Sequence, residues 1–377
     1  MMKTIDRLGK KDLDGKKVLL RVDFNVPVEG GKLISNDLRI RSHKETVDYL
    51  VRNGARVLLV SHINDLDGFG SIVEQIGVSL NQTLTLLPMS GWKSMDILFR
   101  ECCVMLLDNV RQDQREVEND DGFAKELADG FDLYVNDAFA VSHREHASVS
   151  AIVNHLPAYA GFLVKKEVEG LSLAMDTPMD GKILVMGGAK ISTKLPVIKN
   201  FINKAEKILV GGALSNDLFQ ARGINVGSSL VSGEVSPDVQ SDKIILPEDV
   251  VVTEDKSGKT KSKASPVEDI SEGSYMVDIG PETAKKFAEI ISKAKIVIWN
   301  GPMGLFEVEE FSAGTNVVAK AVASAKHSIV GGGETVEALE KLGLLDKISF
   351  TSTGGGAMLD FLAGMELPGL KALGYYE

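Results

Sequence analysis

The chain has 377 residues, which is more than one compact core usually contains, and its length therefore predicts two domains. Hydrophobic residues make up 44% and charged residues 25% of the chain, as in folded globular proteins, which argues against a disordered chain. A formal net charge of −11 argues against nucleic-acid binding, which needs a basic surface, but still permits a local cationic site for a small anion.

The N-terminal residues 1–6 lack the apolar core of a signal peptide, and no apolar run approaches the roughly 20 residues that span a bilayer. We therefore expect a cytoplasmic protein without a membrane partner. The two cysteines, Cys102 and Cys103, are adjacent in an apolar run. We expect them to be buried, reduced strand residues and not a disulfide or a metal site.

The first half of the chain alternates short apolar strands with amphipathic helices, which is typical of a parallel α/β sheet. The predicted strands are 18–24, 57–60, 84–87, 104–107 and 133–135. Ligands of such sheets bind at the carboxyl ends of the strands, so the residues that follow each strand are informative. Most of these residues are polar or cationic: Asp23, Asn25, Arg39, His62, Asp108, Asn109, Arg111, Asn136, Asp137, His143, Arg144 and His146.

Three arginines and a histidine among these residues predict a site for a small anion, because guanidinium groups suit phosphate and carboxylate. They are Arg39, Arg111, Arg144 and His62. The alternative is that the arginines lie on solvated surfaces and pair with nearby acids. The His-Arg-Glu-His run at 143–146 has neither metal-ligand spacing nor a second ligand pair, so we do not expect a metal there.

A helix predicted over 159–175 joins the two halves, and no long Ser/Gly linker separates them. We therefore expect an N-terminal lobe over 1–158 and a C-terminal lobe over 176–365 that are coupled through this helix. An apolar tail follows and must pack on one of the lobes.

The second half repeats the alternation, and its strands run into glycine. The predicted strands are 183–186, 208–210, 276–279, 296–299, 328–330 and 348–351. Glycine lets the main chain approach a ligand closely, and two of the glycine clusters precede predicted helices, whose N-termini favour phosphate. These features predict a nucleotide held by main-chain amides. No Gly-x-Gly-x-x-Gly follows the first strand of either half, which disfavours a dinucleotide and hydride transfer.

The stretch 182–194 passes from an apolar strand through Gly187 and Gly188 into a helix that starts near Ala189. Lys190 and Lys194 lie four residues apart, on one helical face, and could bind an anion at the turn. The alternative is an ordinary strand-to-helix junction with two solvated lysines. An exposed loop or hairpin without evident chemistry is predicted over 254–263.

An anion site in one lobe and a phosphate site in the other predict phosphoryl transfer across a cleft. This reaction needs positioning, cations around the phosphoryl group and a metal on the nucleotide phosphates, with little covalent chemistry from the protein.

Five segments of the chain resemble, in order, the motifs of the phosphoglycerate kinase family, and the resemblance covers essentially the whole chain. They lie at 21–27, 134–148, 187–194, 299–307 and 353–357. The resemblance implies two Rossmann-like lobes, each a parallel sheet with helices on both faces, joined by the interdomain helix, with 366–377 completing the N-terminal lobe. It also implies a monomer that transfers a phosphoryl group between 1,3-bisphosphoglycerate and Mg-ADP in glycolysis, giving 3-phosphoglycerate and ATP.

The resemblance also implies roles for individual residues. Those expected to hold phosphoglycerate are Asp23, Asn25, His62, Arg111 and Arg144, while Arg39 stabilises the transferring phosphoryl group. Lys190 and Lys194 are expected to contact the nucleotide phosphates and the transferred group. Glu307 is expected at the ribose hydroxyls and Glu334 at the Mg²⁺. The remaining residues expected around the nucleotide are Gly188, Gly211, Gly212, Asn300, Gly331, Gly332, Gly333, Thr335, Gly354, Gly355 and Gly356.

The chain departs from the family pattern at three places. Residues 63–66 read Ile-Asn-Asp-Leu in place of Leu-Gly-Arg-Pro, which removes an arginine expected on the substrate phosphate and predicts about 10- to 150-fold weaker binding. Glu334 replaces an aspartate and reaches about 1.5 Å farther. Thr193 replaces an aspartate beside the two lysines. Milder changes place Asp108 where the family has glutamate and Gln112 where it has phenylalanine.

These departures leave three interpretations open. The first is an active phosphoglycerate kinase with weakened substrate binding. The second is a catalytically impaired relative that binds nucleotide as a sensor or interaction module. The third is a kinase for another small carboxylic acid.

Overall fold

The computed structural model describes residues 2–91, 103–232 and 241–376. The chain forms two compact units. Unit 1 contains the residues up to Glu169 together with the segment from Glu366, and unit 2 runs from Gly170 to Met365. In the described ranges, no helix has the length and hydropathy of a membrane span.

Unit 1 is built on a six-stranded parallel sheet with the strand order β5-β6-β4-β1-β7-β8, and β2 and β3 form a separate antiparallel pair. The strands are β1 Lys17–Arg21, β2 Val28–Glu29, β3 Leu33–Ile34, β4 Arg56–Val60, β5 Thr85–Leu87, β6 Val104–Leu107, β7 Leu133–Asn136 and β8 Ala158–Ala160. The helices of this unit are Lys10–Leu13, Leu38–Ser42, Lys44–Arg52, Val73–Leu80, Asp121–Ala128 and Pro368–Ala372.

Both faces of this sheet are covered, as the continuous apolar strands predict. Alternate residues of β1 point to opposite faces, so Val18 and Leu20 belong to one hydrophobic cluster and Leu19 to another. The helix Lys44–Arg52 adds Val47 and Leu50 to the first cluster. The helix Asp121–Ala128 packs on the second cluster.

Unit 2 contains a second six-stranded parallel sheet, with the order β11-β10-β9-β15-β16-β17, and a three-stranded antiparallel sheet, β13-β12-β14. The strands are β9 Lys182–Met186, β10 Lys207–Val210, β11 Ile244–Ile245, β12 Asp249–Thr253, β13 Lys263–Pro266, β14 Tyr275–Ile279, β15 Ile296–Asn300, β16 Ser328–Gly331 and β17 Phe350–Ser352. Its helices are Ile191–Phe201, Gly212–Ala221, Pro281–Ser292, Ala313–Ala323, Gly333–Lys341 and Gly356–Leu362. The helix Phe162–Asp176 crosses the boundary between the units.

These two sheets confirm the predicted α/β fold with two lobes, and one predicted strand is misplaced. Residues 276–279 were expected in the parallel sheet, but they lie in β14, which pairs antiparallel with β12. A short apolar run looks the same in either sheet, because its partner is not encoded locally. Gly280 is consequently not a strand end of the parallel sheet. It precedes the helix Pro281–Ser292, whose Thr283 N–H donates to Asp249 at 2.8 Å.

Three local expectations also differ from the structure. The helix predicted over 159–175 runs over Phe162–Asp176, because Tyr159 and Ala160 belong to β8, a strand that was not predicted. The helix expected to start near Ala189 begins at Ile191, with Lys190 at the N-cap. Cys103 is exposed and precedes β6, so the expectation of a buried strand residue is wrong for it; the apolar face of the strand begins only at Val104. Cys102 lies outside the described residues.

Candidate active site

Four neighbouring strands of unit 1 bring their carboxyl ends to one edge, in the order β6, β4, β1 and β7. Asp23 follows β1 and is almost fully buried. Its carboxylate accepts the N–H of Asn25 at 3.1 Å and lies 3.2 Å from NH1 of Arg39, which also donates to the carbonyl of Asn25 at 2.7 Å. The sequence-predicted residues Asp23, Asn25 and Arg39 therefore form one cluster.

A buried histidine that the sequence analysis did not identify holds the main chain of this cluster. His43 accepts the N–H of Asp23 on Nε2 at 2.9 Å, and its Nδ1 lies 2.9 Å from a carboxylate oxygen of Asp137. Because Nε2 is an acceptor, the ring proton lies on Nδ1 and is donated to Asp137. The sequence around His43 does not indicate this role, because its partners Asp23 and Asp137 lie far from it along the chain.

A second set of side chains surrounds the fully buried Arg21. Its Nε donates to the hydroxyl of Ser148 at 2.8 Å, and this hydroxyl donates to the fully buried Glu116 at 2.7 Å. The backbone N–H of Ser148 also donates to Glu116, at 2.9 Å. Ser148 therefore links Arg21 to the carboxylate of Glu116, and the three residues lie far apart in the sequence.

His62, at the end of β4, lies beside both a cation and an anion. Its Nδ1 is 3.4 Å from NH2 of Arg21 and 3.9 Å from a carboxylate oxygen of Asp23. An ion pair with Asp23 would need a charged ring, whereas a bond from Arg21 needs an Nδ1 lone pair. Burial, followed by nearby arginines, lowers the pKa of His62 far below its usual range, so the ring is neutral and donates through Nε2.

Arg111 is the side chain of this edge that most clearly lacks a partner. Its NH1 donates to Oδ1 of Asn64 at 2.6 Å, but Nε and NH2 are buried without a hydrogen bond to any described residue. Burial and the neighbouring Arg144 lower the pKa of Arg111 to about 10, so it remains charged at neutral pH. Buried, unpaired N–H groups beside like charges are strongly unfavourable unless an anion binds to them.

The loop that follows His62, residues 63–69, contains the altered segment 63–66 and is anchored by residues at the end of β6. Asn109 accepts the N–H of Ile63 at 3.3 Å and donates to its carbonyl at 2.9 Å. Asp108 accepts the N–H of Phe69 at 2.7 Å, and Gln112 donates to the carbonyl of Asp67 at 3.0 Å. The two milder departures, Asp108 and Gln112, therefore contact this loop directly.

Acidification from pH 7 to pH 5 is expected to lower the free energy of unfolding, because the folded protein keeps His62 and His146 neutral. Burial, with the nearby arginines, lowers the pKa of His146 from 6.5 to about 4. The imidazole of His146 binds a proton more readily in the unfolded chain than in the folded protein. The contribution of neutral His146 to the free energy of unfolding is therefore fully present above about pH 6.5 and falls as the pH decreases toward 4. Denaturant unfolding at both pH values measures the effect.

His146→Gln is expected to lose part of this pH dependence. Asp278 in unit 2 acts in the opposite direction, because burial raises its pKa to about 7, but it is present in both proteins. The difference between the two proteins therefore isolates His146. A variant that keeps the full wild-type slope would show that His146 does not titrate in this way.

In unit 2, several of the predicted glycines allow the strand-end loops to approach one another closely. Gly188 donates to the carbonyl of Pro302 at 2.8 Å and Gly212 to that of Met303 at 2.8 Å. Both glycines have positive φ, and a Cβ on Gly212 would lie 2.6 Å from the nitrogen of Gly188. Gly301 packs against Gly187 in the same manner. These three loops therefore form one tightly packed edge.

The other predicted glycines divide into packed and open positions. A Cβ on Gly211 would meet Met303, one on Gly331 would meet Met358 and one on Gly332 would meet Asn300. Gly333 and Gly355 have open space in front of them. Gly354 donates to the hydroxyl of Ser352 at 3.1 Å, and Gly356 begins the helix Gly356–Leu362.

Asn300 and Thr335, predicted at the nucleotide, are buried and brace the strand ends. The amide of Asn300 donates to the carbonyl of Gly331 at 2.8 Å. The hydroxyl of Thr335 accepts the N–H of Gly301 at 2.7 Å. Both contacts fix the positions of the glycine loops around them.

A cavity of about 180 Å³ opens at this edge. The structure brings four of the predicted residues into its lining: Gly188, Gly212, Glu307 and Glu334. Leu230, Val277 and Met303 form apolar parts of the wall. A cavity with apolar walls and a few polar groups at its margin suits a small organic ligand with a charged end.

Lys256 and Tyr275 also line this cavity, and the ammonium of Lys256 lies 4.7 Å from the centroid of the Tyr275 ring. The segment 254–263, predicted as an exposed loop or hairpin without evident chemistry, therefore brings one of its side chains to the cavity. The segment is the turn of the β12–β13 hairpin, and only the fold brings it to the cavity.

The two predicted lysines have different environments. Lys190 is exposed at the helix N-cap, whereas Lys194 is buried, with only 7% of its surface exposed. Burial lowers the pKa of Lys194, while the nearby Glu334 acts in the opposite direction. Its ammonium packs beside Gly188, where a Cβ would lie 2.7 Å from it. Thr193 is exposed and donates to the carbonyl of Lys190 at 3.0 Å.

The described residues contain no group of three or more His, Cys, Asp or Glu side chains that could hold a metal. Glu334 lies in the first turn of the helix Gly333–Lys341 and lines the cavity. Mg²⁺ in nucleotide sites is commonly held by one or two carboxylates together with the nucleotide phosphates. A single carboxylate at the cavity margin fits an ion that arrives with its nucleotide.

Comparison with known proteins gives consistent matches over nearly the whole chain. The family model described as phosphoglycerate kinase matches residues 8–365. A phosphoglycerate kinase of Rubrobacter xylanophilus is 42% identical over 389 residues, covering 98% of each chain. One of Moorella thermoacetica is 40% identical and covers 97% of this chain and 99% of its own. The solved phosphoglycerate kinase of Coxiella burnetii has a TM-score of 0.86 at 33% identity and covers 100% of both chains.

Proposed function

The chain belongs to the phosphoglycerate kinase family, and on this basis we propose which of its residues carry out the reaction. The enzyme is a phosphotransferase that acts on a carboxyl group. It transfers a phosphoryl group reversibly between 1,3-bisphosphoglycerate and ADP in glycolysis. In the ATP-consuming direction, a carboxylate oxygen of 3-phosphoglycerate forms a bond to the γ-phosphorus while the bond from this phosphorus to ADP breaks. The carboxylate is already ionised, so the step needs no general base.

The edge formed by β6, β4, β1 and β7 is the proposed site of phosphoglycerate. Arg111, Arg144 and the Nε2–H of His62 would hold its phosphate, and Asp23 and Asn25 would hold the rest of the acid. The unpaired Nε and NH2 of Arg111 support this assignment, because they give a buried, bidentate fork for an oxyanion.

Arg39 would stabilise the phosphoryl group during transfer. Its support is the orientation given by Asp23 and the carbonyl of Asn25, which both contact NH1. About a third of its side chain remains exposed, so the other guanidinium nitrogens can reach a ligand. A cation placed on the equatorial oxygens stabilises the charge that spreads over them in the transition state.

The glycine-lined cavity of unit 2 is the proposed nucleotide site. Its apolar wall would hold the base and Glu307 the ribose hydroxyls. The open main chain at Gly333 and Gly355 would face the phosphates, while Gly188 and Gly212 shape the lining. Lys190 and Lys194 would contact the phosphates and the transferred group. Mg²⁺, held by Glu334 and the nucleotide, would neutralise phosphate charge. The shared lining of Gly188, Gly212, Glu307 and Glu334 supports this assignment.

We also propose that the protein is a cytoplasmic monomer whose partners are small molecules, without nucleic acid or membrane. The family and its place in glycolysis support the monomer and the cytoplasm, and the net charge of −11 argues against a nucleic-acid partner. The loop 63–66, which lacks the expected arginine, supports weaker binding of the acid substrate than is usual in the family.

The main support for the proposed acid site is that Nε and NH2 of Arg111 are buried and unpaired beside other arginines. ATP-dependent formation of 1,3-bisphosphoglycerate from 3-phosphoglycerate, coupled to its reduction by a dehydrogenase, is the direct test. The wild-type protein is expected to turn over, and Arg39→Ala to lower kcat about 100-fold or more, because transition-state charge loses its cation.

Two other results would contradict this proposal. ATP binding without turnover above the Arg39→Ala level would favour the nucleotide-binding relative. Turnover on another small carboxylate, without turnover on 3-phosphoglycerate, would favour the different acid substrate.

A further inference from the structure

Asn64 contacts two residues of the proposed acid site at once. Its side-chain carbonyl accepts NH1 of Arg111 at 2.6 Å, and its backbone N–H donates to Oδ1 of Asn25 at 3.0 Å. The main chain of Asn25 in turn accepts NH1 of Arg39. Asn64 therefore links the side chain proposed for the substrate phosphate to the cluster that holds Arg39.

The contact with Asn64 determines which edge of the Arg111 guanidinium remains available. The group is planar, and its Nε–H lies beside NH2, so these two donors form a fork that matches two oxygens of a phosphate. Asn64 binds NH1, which lies in the same plane but outside the edge formed by Nε and NH2. Nε and NH2 are the two atoms that stay buried and unpaired among the described residues. Asn64 thus holds Arg111 with its fork free.

The loop that carries Asn64 and the backbone of Arg111 are fixed by the same side chain. Oδ1 of Asn109 accepts both the N–H of Ile63, at 3.3 Å, and the N–H of Arg111, at 3.2 Å. Its amide donates to the carbonyl of Ile63 at 2.9 Å. Asn64 is the next residue after Ile63, so one side chain, Asn109, holds both the backbone beside Asn64 and the backbone of Arg111.

We propose that Asn64 is a positioning residue for the phosphate of the acid substrate and acts through Arg111. This proposal rests on the proposed function. A side chain that is already held in its binding geometry loses less conformational entropy when the ligand binds. Asn64 therefore strengthens binding of the acid while leaving the transfer step and the nucleotide unaffected.

Steady-state kinetics of Asn64→Ala, Arg111→Lys and the double variant test this role. Asn64→Ala is expected to raise KM for 3-phosphoglycerate about three- to tenfold, with kcat and KM for ATP within about twofold of wild type. Arg111→Lys, which removes the fork, is expected to raise the same KM about 10- to 100-fold. In the double variant KM should equal that of Arg111→Lys alone, because no fork remains to be oriented. If the KM increase of the double variant equals the product of the two single increases, the proposal is overturned.

Asp67→Asn is the matched control in the same loop. Asp67 is exposed, and its described contacts use its backbone carbonyl, so this change removes a charge and preserves those contacts. Its KM is expected to stay within about twofold of wild type. An equal rise in both loop variants would show that loop charge or order, and not the contact with Arg111, controls binding.

Binding of inorganic phosphate, measured by calorimetry on the same proteins, separates this proposal from the proposed function. A wild-type protein without turnover on 3-phosphoglycerate would contradict the function. The role of Asn64 would still be supported if two results hold. Phosphate binds more weakly to Asn64→Ala than to wild type, and it binds equally to the double variant and to Arg111→Lys. Unchanged phosphate binding in Asn64→Ala would overturn it.

Discussion

Lys194→Met is expected to lower kcat about 100- to 1,000-fold while leaving the folded protein equally stable or more stable. The ammonium of Lys194 is buried beside Gly188 and close to Glu334, and its pKa is lowered by burial. Such a charge is unfavourable in the empty site and favourable once phosphate arrives. Methionine keeps the length of the side chain and removes the charge, so catalysis and stability should change in opposite directions.

The coupled assay and thermal unfolding of the same preparation measure the two effects. Lys199→Met is the matched control, because Lys199 is exposed in the same helix, Ile191–Phe201. It should retain kcat within about twofold. A Lys194→Met protein that loses stability along with activity would show that the lysine mainly supports the fold.

Gly301→Ala is expected to reduce the free energy of unfolding of unit 2 by about 2 kcal/mol or more and to abolish nucleotide binding. Gly301 has a φ of +90°, and a Cβ would overlap with the carbonyl of Gly187 and lie 3.0 Å from the nitrogen of Gly188. The obstructing atoms are main chain, so no rotamer change can relieve the overlap. The loops after β9 and β15 must separate, and these loops border the cavity.

Denaturant unfolding and ATP titration test this prediction, and Gly223→Ala provides its control. Gly223 lies in the same unit and has a φ of +76°, but a Cβ there would meet nothing within 4 Å. This variant therefore reports backbone strain alone, at about 1 kcal/mol. Equal losses in the two variants would mean that close packing of the loops contributes nothing beyond strain.

The periodicity of apolar residues predicted most strands of the two parallel sheets, because these strands are buried apolar runs that alternate with amphipathic helices. It missed the short edge strands β8 and β11, which have three and two residues. It could not assign β14 to its own sheet, since strand pairing depends on residues far away in sequence. The same limit explains the missed Arg21–Ser148–Glu116 chain, whose members lie 127 and 32 residues apart. Strand-end position alone did place Arg111 at this edge, where two of its guanidinium nitrogens are buried and unpaired among the described residues.

The predicted glycines show a second limit of sequence reasoning. Glycine after a strand indicates that the backbone comes close to something, but does not specify what. Gly188 and Gly212 pack against other loops, whereas Gly333 and Gly355 are open. Likewise, the four-residue spacing of Lys190 and Lys194 predicts only that they share a helical face. It does not predict that the packing of unit 2 buries Lys194 and leaves Lys190 exposed.

Unit 1 is discontinuous in the chain, and this has a consequence for the order in which a ribosome makes the enzyme. Its final part, from Glu366, is synthesised only after all of unit 2. In that part Gly369 donates to the carbonyl of Ser142 at 2.8 Å, and Leu370 is buried. Ser142 directly precedes the turn that carries Arg144. A nascent chain that stops before residue 366 can complete its glycine-lined half, while its arginine-lined half still lacks this packing. Translation therefore finishes the glycine-lined unit first and the arginine-lined unit last.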